Sequence, residues 1–414
     1  MLDIRYIREN ADEVQENARK KGYTVSIADL LACDESRRSL QQRIDVLREK
    51  RNTISSSMQG GRPSDELVAE ARVVKEELAG LEPQLKDADD AFDALIHSIP
   101  NMMKPDVPEG GEDASVEIKK WGEQHSGAID HLDFATKRDW VDFERGAKVA
   151  GAKFYYLKGD LALLENAITQ YALELVTKKG FTLLSVPTLV NSRVATGTGF
   201  APRTSEQSDE YYIEGEDLSL IATAEMPLTG YHADEIIDEA QLPLLYTGYS
   251  ASFRKEAGTY GKHNRGLFRV HQFNKLELYA FTTPEQSAQV HEQILAIEEE
   301  IWQSLNIPYH VINIASGDLG APASKKYDLE YWSPVDNMYR ELTSASNCTD
   351  FQARNLNIRV RRTDGTVQTL HTLNGTAVSL ARSLVAILEH YQNEDGTLRV
   401  PTVLQPYLGG RDTI

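Results

Sequence analysis

Cysteine is nearly absent: Cys33 and Cys348 are the only two in 414 residues. They lie far apart in the sequence, which excludes a disulfide framework and a CxxC metal knuckle and suits a reducing compartment. Long apolar runs are missing too. No stretch approaches the roughly 20 residues that a bilayer crossing needs, and the opening Met-Leu-Asp-Ile-Arg-Tyr is too polar for a secretory signal. A cytoplasmic location with no membrane contact is expected. Basic charge is scarce, 44 Lys and Arg against 63 Asp and Glu, for a net charge of -19. So acidic a surface repels a phosphate backbone on average, so any polyanion must be held by a local basic patch. No GxxxxGK(S/T) occurs and no GxGxxG follows a strand; Gly197-Thr198-Gly199 lacks the third glycine and the helix behind it. Any nucleotide must therefore be bound by other means. The 41% of hydrophobic residues suffices for a full core, and the length suggests two domains.

Two heptad seams dominate the N-terminal quarter. One runs Leu30, Cys33, Arg37, Leu40, Ile44, Leu47, Arg51, Ile54, Met58, and the other Leu67, Ala71, Val74, Leu78, Leu81, Leu85, Ala88, Phe92, Leu95, Ile99, in steps of three and four. Gln59-Gly60-Gly61-Arg62-Pro63 stops the first helix, and Ser64 can cap the second. This predicts an antiparallel helical hairpin, about 45 Å long at 1.5 Å per residue, protruding as an arm. Pro83 should kink it near Gly80. Pro100, Pro105, Pro108, Gly110 and Gly111 mark the linker that follows. We expect an N-terminal domain over 1–105, with its arm at about 27–99, and a second domain over 106–414.

In the second domain Asp160 should cap a helix reaching Lys179 and ended by Gly180. Residues 181–184, 218–221, 267–270 and 275–281 look strand-like, and helices are expected over 284–305 and 378–391. Strands and helices without a regular βαβ repeat indicate an α+β fold around an antiparallel sheet flanked by helices.

The chemistry-bearing residues cluster in Ser252-Phe253-Arg254-Lys255-Glu256-Ala257-Gly258, a loop, and Gly266-Leu267-Phe268-Arg269-Val270-His271-Gln272-Phe273-Asn274-Lys275-Leu276-Glu277. On a strand, Arg254 and Glu256 would share a face. By itself an Arg-x-Glu is usually a surface ion pair. The whole constellation resembles motif 2 of the class II aminoacyl-tRNA synthetases, and of the seryl-tRNA synthetases in particular. Thr223-Ala224-Glu225 looks like that family's serine-pocket segment. Gly317 to Gly320 and Lys326 to Glu330 look like its later sheet, and Arg340 to Arg354 is similar to its metal-and-ATP segment. His371 to Thr376, running to Arg382, resembles motif 3, and Gly180-Phe181 with Pro187 resembles motif 1. The hairpin stands where the family has its tRNA-binding arm.

The resemblance implies a serine-tRNA ligase that makes seryl-adenylate from L-serine and ATP, then charges tRNA(Ser), with tRNA(Sec) a further candidate. Arg254 and Glu341 match its catalytic positions. Arg254 matches the α-phosphate arginine, able to bridge phosphate and serine carboxylate by bidentate bonds. Lys255 lies within the ATP-binding stretch, and Glu256 should accept from the adenine amino group. Phe273 and Arg382 should sandwich the ring. Arg269 suits the outer phosphates, Val270 a backbone contact, and Glu341-Leu342-Thr343-Ser344 the rest of the ATP site, with Glu341 and Ser344 as hard oxygen ligands for Mg²⁺. Glu277 matches the ammonium-binding carboxylate, with Thr223, Ala224, Glu225, Arg254 and Thr376 completing the serine pocket. Where the family usually has Asn-Gly-Ser-Gly, this chain has Asn374-Gly375-Thr376-Ala377: the hydroxyl is kept and a methyl is added.

Basic residues of the first hairpin helix, Arg37, Arg38, Arg43, Arg48, Lys50 and Arg51, match the stripe with which such an arm grips tRNA. A homodimer through motif 1 is implied, and zinc is not, since His263, His271 and His371 lack ligand neighbours in sequence; His271 reads as a sheet histidine. Two other readings remain at this level. One is a paralogue charging a carrier protein, against which the long seams argue. The other is an inactive RNA-binding or regulatory homologue, against which the intact Arg254, Glu256, Glu277, Glu341 and Arg382 argue.

Overall fold

The computed structural model describes residues 1–58, 64–200, 210–256 and 265–414. The turn expected at Gln59–Pro63 and most of the loop after Glu256 lie outside them. The chain divides into two compact units, Leu2–Pro100 and Asn101–Ile414.

In the first unit two short helices, Ile4–Glu9 and Ala11–Lys20, precede two long ones, Ile27–Ser57 and Asp65–Ser98. The seams predicted by spacing are the packing line: Ile44, Ile54, Val74, Leu78 and Leu81 are buried, and Leu40, Leu47, Met58, Leu67, Ala71 and Leu85 pack around them. Each fully buried aliphatic side chain there contributes about 1.5–3 kcal/mol. Cross-helix pairs show the antiparallel sense: Arg37 to Asp89 at 3.4 Å, Arg48 to Glu82 at 3.0 Å and Lys50 to Glu70 at 2.8 Å. Ser26 and Ser64 cap the two helices by accepting from Asp29 N and Leu67 N. Pro83 sits inside the second helix without ending it, and Leu81 and Leu85 on either side both stay in the seam.

The second unit is built on an eight-stranded sheet. Its strands in chain order are β1 (Val116–Trp121), β2 (Thr182–Leu184), β3 (Leu244–Phe253), β4 (Gln272–Thr282), β5 (Tyr309–Asn313), β6 (Lys325–Ser333), β7 (Met338–Thr349) and β8 (His371–Ser379). In space they run β1-β5-β6-β7-β8-β4-β3-β2, all antiparallel except the β2/β3 pair. The back face is apolar. Leu276, Leu278 and Ala280 of β4 pack with Leu164 and Ile168 of helix Asp160–Lys178, Ile294 and Ile301 of helix Ser287–Ser304, and Leu384 and Ile387 of helix Leu380–Tyr391. The residues alternating with them, Lys275, Glu277 and Tyr279, face the other side.

Four local expectations change. Gly159, at φ 57°, occupies the N-cap of the helix expected to be capped by Asp160, which is instead its first residue and pairs with Arg411 at 2.7 Å. Residues 266–268 form a 3₁₀ turn rather than a strand, because Gly266 adopts φ 64°. Val378 and Ser379 finish β8, so the last helix starts at Leu380. β3 ends at Phe253, and Glu256 has φ 50°, so Arg254 and Glu256 share no strand face.

Candidate active site

The front face of the sheet collects the polar side chains. Strand register places Gly248, Glu277 and Thr376 in one row and Ser250, Lys275 and Ser379 in the next. Asp328 faces Ser344, and Glu330 faces Glu341. Directly opposed residues in a ladder share a face, so pairing converts positions scattered over 130 residues into one surface.

Glu277, 1% exposed, forms a buried ion pair with Lys275 through Oε2, and the same oxygen accepts from Thr223 Oγ1 at 3.1 Å. The Thr223 segment is brought here by Phe253 N donating to Ile221 O at 2.9 Å and by Arg254 Nε donating to Ala222 O at 3.4 Å. Glu225 lies deeper. Its Oε1 accepts from Gln352 Nε2 at 2.7 Å and Asn374 Nδ2 at 2.8 Å, while Tyr279 and Thr372 hydroxyls donate to Gln352 Oε1. Burial, then the charge of Glu277, push the Glu225 carboxyl up to about 7. Ala224 packs in an apolar cluster with Leu228 and Tyr279. It offers the pocket no polar side-chain group.

On β6 and β7, Lys326 pairs with Asp328 at 3.1 Å, and Arg382 pairs with Glu341 at 3.1 Å while also donating to its backbone carbonyl. Burial works against the Glu341 charge, but Arg382 and then Lys326 outweigh it and hold the carboxyl at about 2. Asp328 is pushed the other way, to about 7, by burial, with Lys326 pulling against it and Glu341 adding to the rise. Glu341, held ionised, and Ser344 both lie on β7, and a carboxylate with a hydroxyl is a hard-oxygen donor set of the kind that suits Mg²⁺. The two residues between them turn away: Leu342 joins the back-face core, and Thr343 Oγ1 donates to Glu298 Oε2 at 2.8 Å. Glu298, entirely buried on helix Ser287–Ser304, has its carboxyl pushed well upward by that burial. It also lies behind Gly375 of β8, where a Cβ would come within 2.8 Å of its Oε1.

Several expected ligand contacts are made internally. Arg269 pairs with Glu256 at 2.9 Å. Arg382 lies over Phe268, 4.9 Å from its centroid, and it is Arg254 that lies over Phe273, at 5.4 Å. The 3₁₀ turn places Phe268 there. Lys255 faces the rings of Tyr211 and Tyr212 at 5.6 Å each, and Val270 is buried. His271 precedes β4 and holds Arg254 O through Nδ1 at 2.9 Å. Asp130, His131 and Glu389 are the one group among the described residues that could gather a metal. Yet His131 already accepts from Leu267 N at 3.3 Å and meets Glu389 at 3.3 Å, anchoring the turn that ends at Phe268. On the hairpin, Arg37, Arg48 and Lys50 are ion-paired, whereas Arg38, Arg43 and Arg51 are exposed with no ion partner among the described residues. Sequence reasoning gave no role to Lys275, Glu298, Lys326, Gln352 or Asn374. For Lys275 the signal existed, since two residues along a strand return to the same face; Gln352 carried none.

A large antiparallel sheet with charged groups across its front and helices behind is the catalytic core of class II aminoacyl-tRNA synthetases. Residues 209–391 match the family model described as tRNA synthetase class II core domain (G, H, P, S and T), and residues 1–103 match the seryl-tRNA synthetase N-terminal domain. Serine–tRNA ligase of Dictyoglomus turgidum is 46% identical over 418 residues, covering 99% of this chain and 98% of that protein, and that of Rubrobacter xylanophilus is 43% identical over 416, covering 99% and 98%. The chain belongs to the seryl-tRNA synthetase family. The crystal structure of seryl-tRNA synthetase from Pyrococcus horikoshii complexed with ATP superposes with a TM-score of 0.89 at 40% identity, covering 100% of this chain and 99% of that one. The cytoplasmic serine–tRNA ligase of Naegleria fowleri in complex with AMP superposes with a TM-score of 0.85 at 32% identity, covering 100% and 98%.

Proposed function

We infer that this chain is a serine–tRNA ligase. The serine carboxylate attacks the α-phosphorus of ATP, an oxygen–phosphorus bond forms, and pyrophosphate leaves. The seryl group then passes to a terminal hydroxyl of tRNA, and AMP leaves. Such in-line displacement needs positioning and charge neutralisation more than covalent help. The observation that carries this reading is the buried carboxylate of Glu277, four residues along β4 from Phe273 and one strand from Thr376, with Arg254 held over Phe273.

In this reading Glu277 takes the serine ammonium, Thr376 its hydroxyl, and Arg254 its carboxylate together with the α-phosphate. ATP exchanges the internal Arg269–Glu256 pair for contacts with its outer phosphates and adenine amino group. Its ring enters beside Phe273, with Arg382 on the other face. Mg²⁺, held by Glu341 and Ser344, supplies further neutralisation of phosphate charge when bound. The hairpin binds tRNA(Ser) by its backbone, with Arg38, Arg43 and Arg51 the cations of its first helix not spent on ion pairs among the described residues, and tRNA(Sec) is a further candidate. A homodimer is supported by β2, an edge strand of the sheet, by its exposed Leu183, and by the exposed Leu163 on the helix before it. The expected compartment is the cytoplasm; no described helix is long and apolar enough to cross a membrane.

Amino-acid-dependent exchange of labelled pyrophosphate into ATP, run with each standard amino acid, tests this. Serine alone should support it. Exchange with none of them, or with another amino acid in preference, would reject the reading.

A further inference from the structure

Glu277 is read as the group that receives the serine ammonium, yet its carboxylate already carries two partners. Both use the same oxygen: Lys275 Nζ pairs with Oε2, and Thr223 Oγ1 donates to it at 3.1 Å. Oε1 has no partner among the described residues. Two donors on one oxygen fix the rotation of a carboxylate, and here they leave the other oxygen as the acceptor for an incoming cation.

The lysine is placed by the chain itself, since Lys275 and Glu277 lie two apart on β4 and so point to one face. Their side chains are 7% and 2% exposed, and Lys275 has no other ion partner among the described residues. Glu225 brings a second buried carboxyl into the same pocket, and its acidity already registers both Glu277 and Lys275. A resident cation offsets the repulsion between two carboxyls buried this close together.

We propose that Lys275 is a positioning and specificity-determining residue for serine: it holds the Glu277 carboxylate rotated so that Oε1, and not Oε2, receives the substrate ammonium. The proposal rests on the reading of Glu277 as the ammonium acceptor. Lys275 has Glu277 as its ion partner among the described residues, so its effect should fall on serine and not on ATP.

The test is pyrophosphate exchange by Lys275→Met, Glu277→Gln and the double variant. Lys275→Met should raise the serine KM about tenfold, leaving kcat and the ATP KM within about twofold of wild type. In the Glu277→Gln background the same change should add nothing, because it acts through the carboxylate that is no longer there. An unchanged serine KM in Lys275→Met, a parallel rise in the ATP KM, or an equal further loss in the Glu277→Gln background each overturns the proposal. Glu277→Gln with an unchanged serine KM would instead overturn the ammonium assignment itself. Should Lys275→Met not fold, Lys275→Arg decides: it keeps the charge and alters the geometry. A serine KM raised at least about threefold with the ATP KM unmoved supports the proposal, and an unmoved serine KM ends it.

Discussion

Replacing Glu225 by Gln should stabilise the protein, and by an amount that grows with pH. The side chain is 7% exposed and its Oε1 accepts from Gln352 and Asn374, two contacts that a glutamine carbonyl reproduces. Burial and the neighbouring Glu277 push its carboxyl from an ordinary 4.5 to about 7. A carboxyl raised in the folded state favours folding fully only below its unfolded value, and stability is then lost as pH climbs from 4.5 to about 7. At 1.36 kcal/mol per pH unit the loss reaches about 3 kcal/mol above neutrality and is under about 1 kcal/mol at pH 5. Glutamine has no such term. Urea unfolding of wild type and Glu225→Gln at pH 5, 6, 7 and 8 should therefore show a gap opening from under about 1 to about 3 kcal/mol. A gap independent of pH, or a variant weaker throughout, would refute the argument: Glu225 would then be held ionised by Lys275 and Arg254 despite its burial.

Glu277→Ala should cost about 2–4 kcal/mol in kcat/KM for serine and little for ATP, because a desolvated ammonium loses its charged partner; near-normal serine dependence of exchange would remove Glu277 from the pocket. Gly375→Ala would put a Cβ 2.2 Å from Ile294 Cγ2 and 2.8 Å from Glu298 Oε1, so thermal unfolding should reveal a loss of about 1–3 kcal/mol; an unchanged melting temperature would show that the helix behind the sheet yields. Arg43→Ala removes an exposed cation with no ion partner among the described residues, so stability should change by under about 0.5 kcal/mol, while tRNA affinity falls and its salt slope drops by about 1; an unchanged slope would take Arg43 off the tRNA. Replacing residues 30–99 by a short linker should keep serine-dependent exchange and abolish charging, and a deletion variant that still charges tRNA would deny the hairpin its role.

The hairpin was legible because its information is local. A step of three and four residues fixes which side chains meet across two antiparallel helices, and Ile44, Val74, Leu78 and Leu81 are buried where the count put them. The catalytic strands were half legible. The alternation along 275–281 assigns Leu276 and Leu278 to one face and Glu277 to the other, as observed. It could not say that Arg254 lies beyond the end of β3, since that depends on where pairing with β4 stops, nor that Leu267 falls in a turn, since Gly266 takes φ 64° beneath His131, 136 residues away from Leu267 in sequence.

Residue type and spacing by themselves determined the two helices, the α+β sheet, the motifs that carry Arg254, Glu256 and Glu277 and, further on, Arg382, and the acidic body that leaves polyanion binding to a local stripe. Only the tertiary structure decided which charges answer one another: Lys275 on Glu277, Arg269 on Glu256, Arg382 on Glu341 and Phe268, Glu298 behind Thr343. The physical reason is one of range. Helical and strand periodicities are set within a few residues, whereas the charge state and orientation of a buried group follow from every element that closes around it and removes its water.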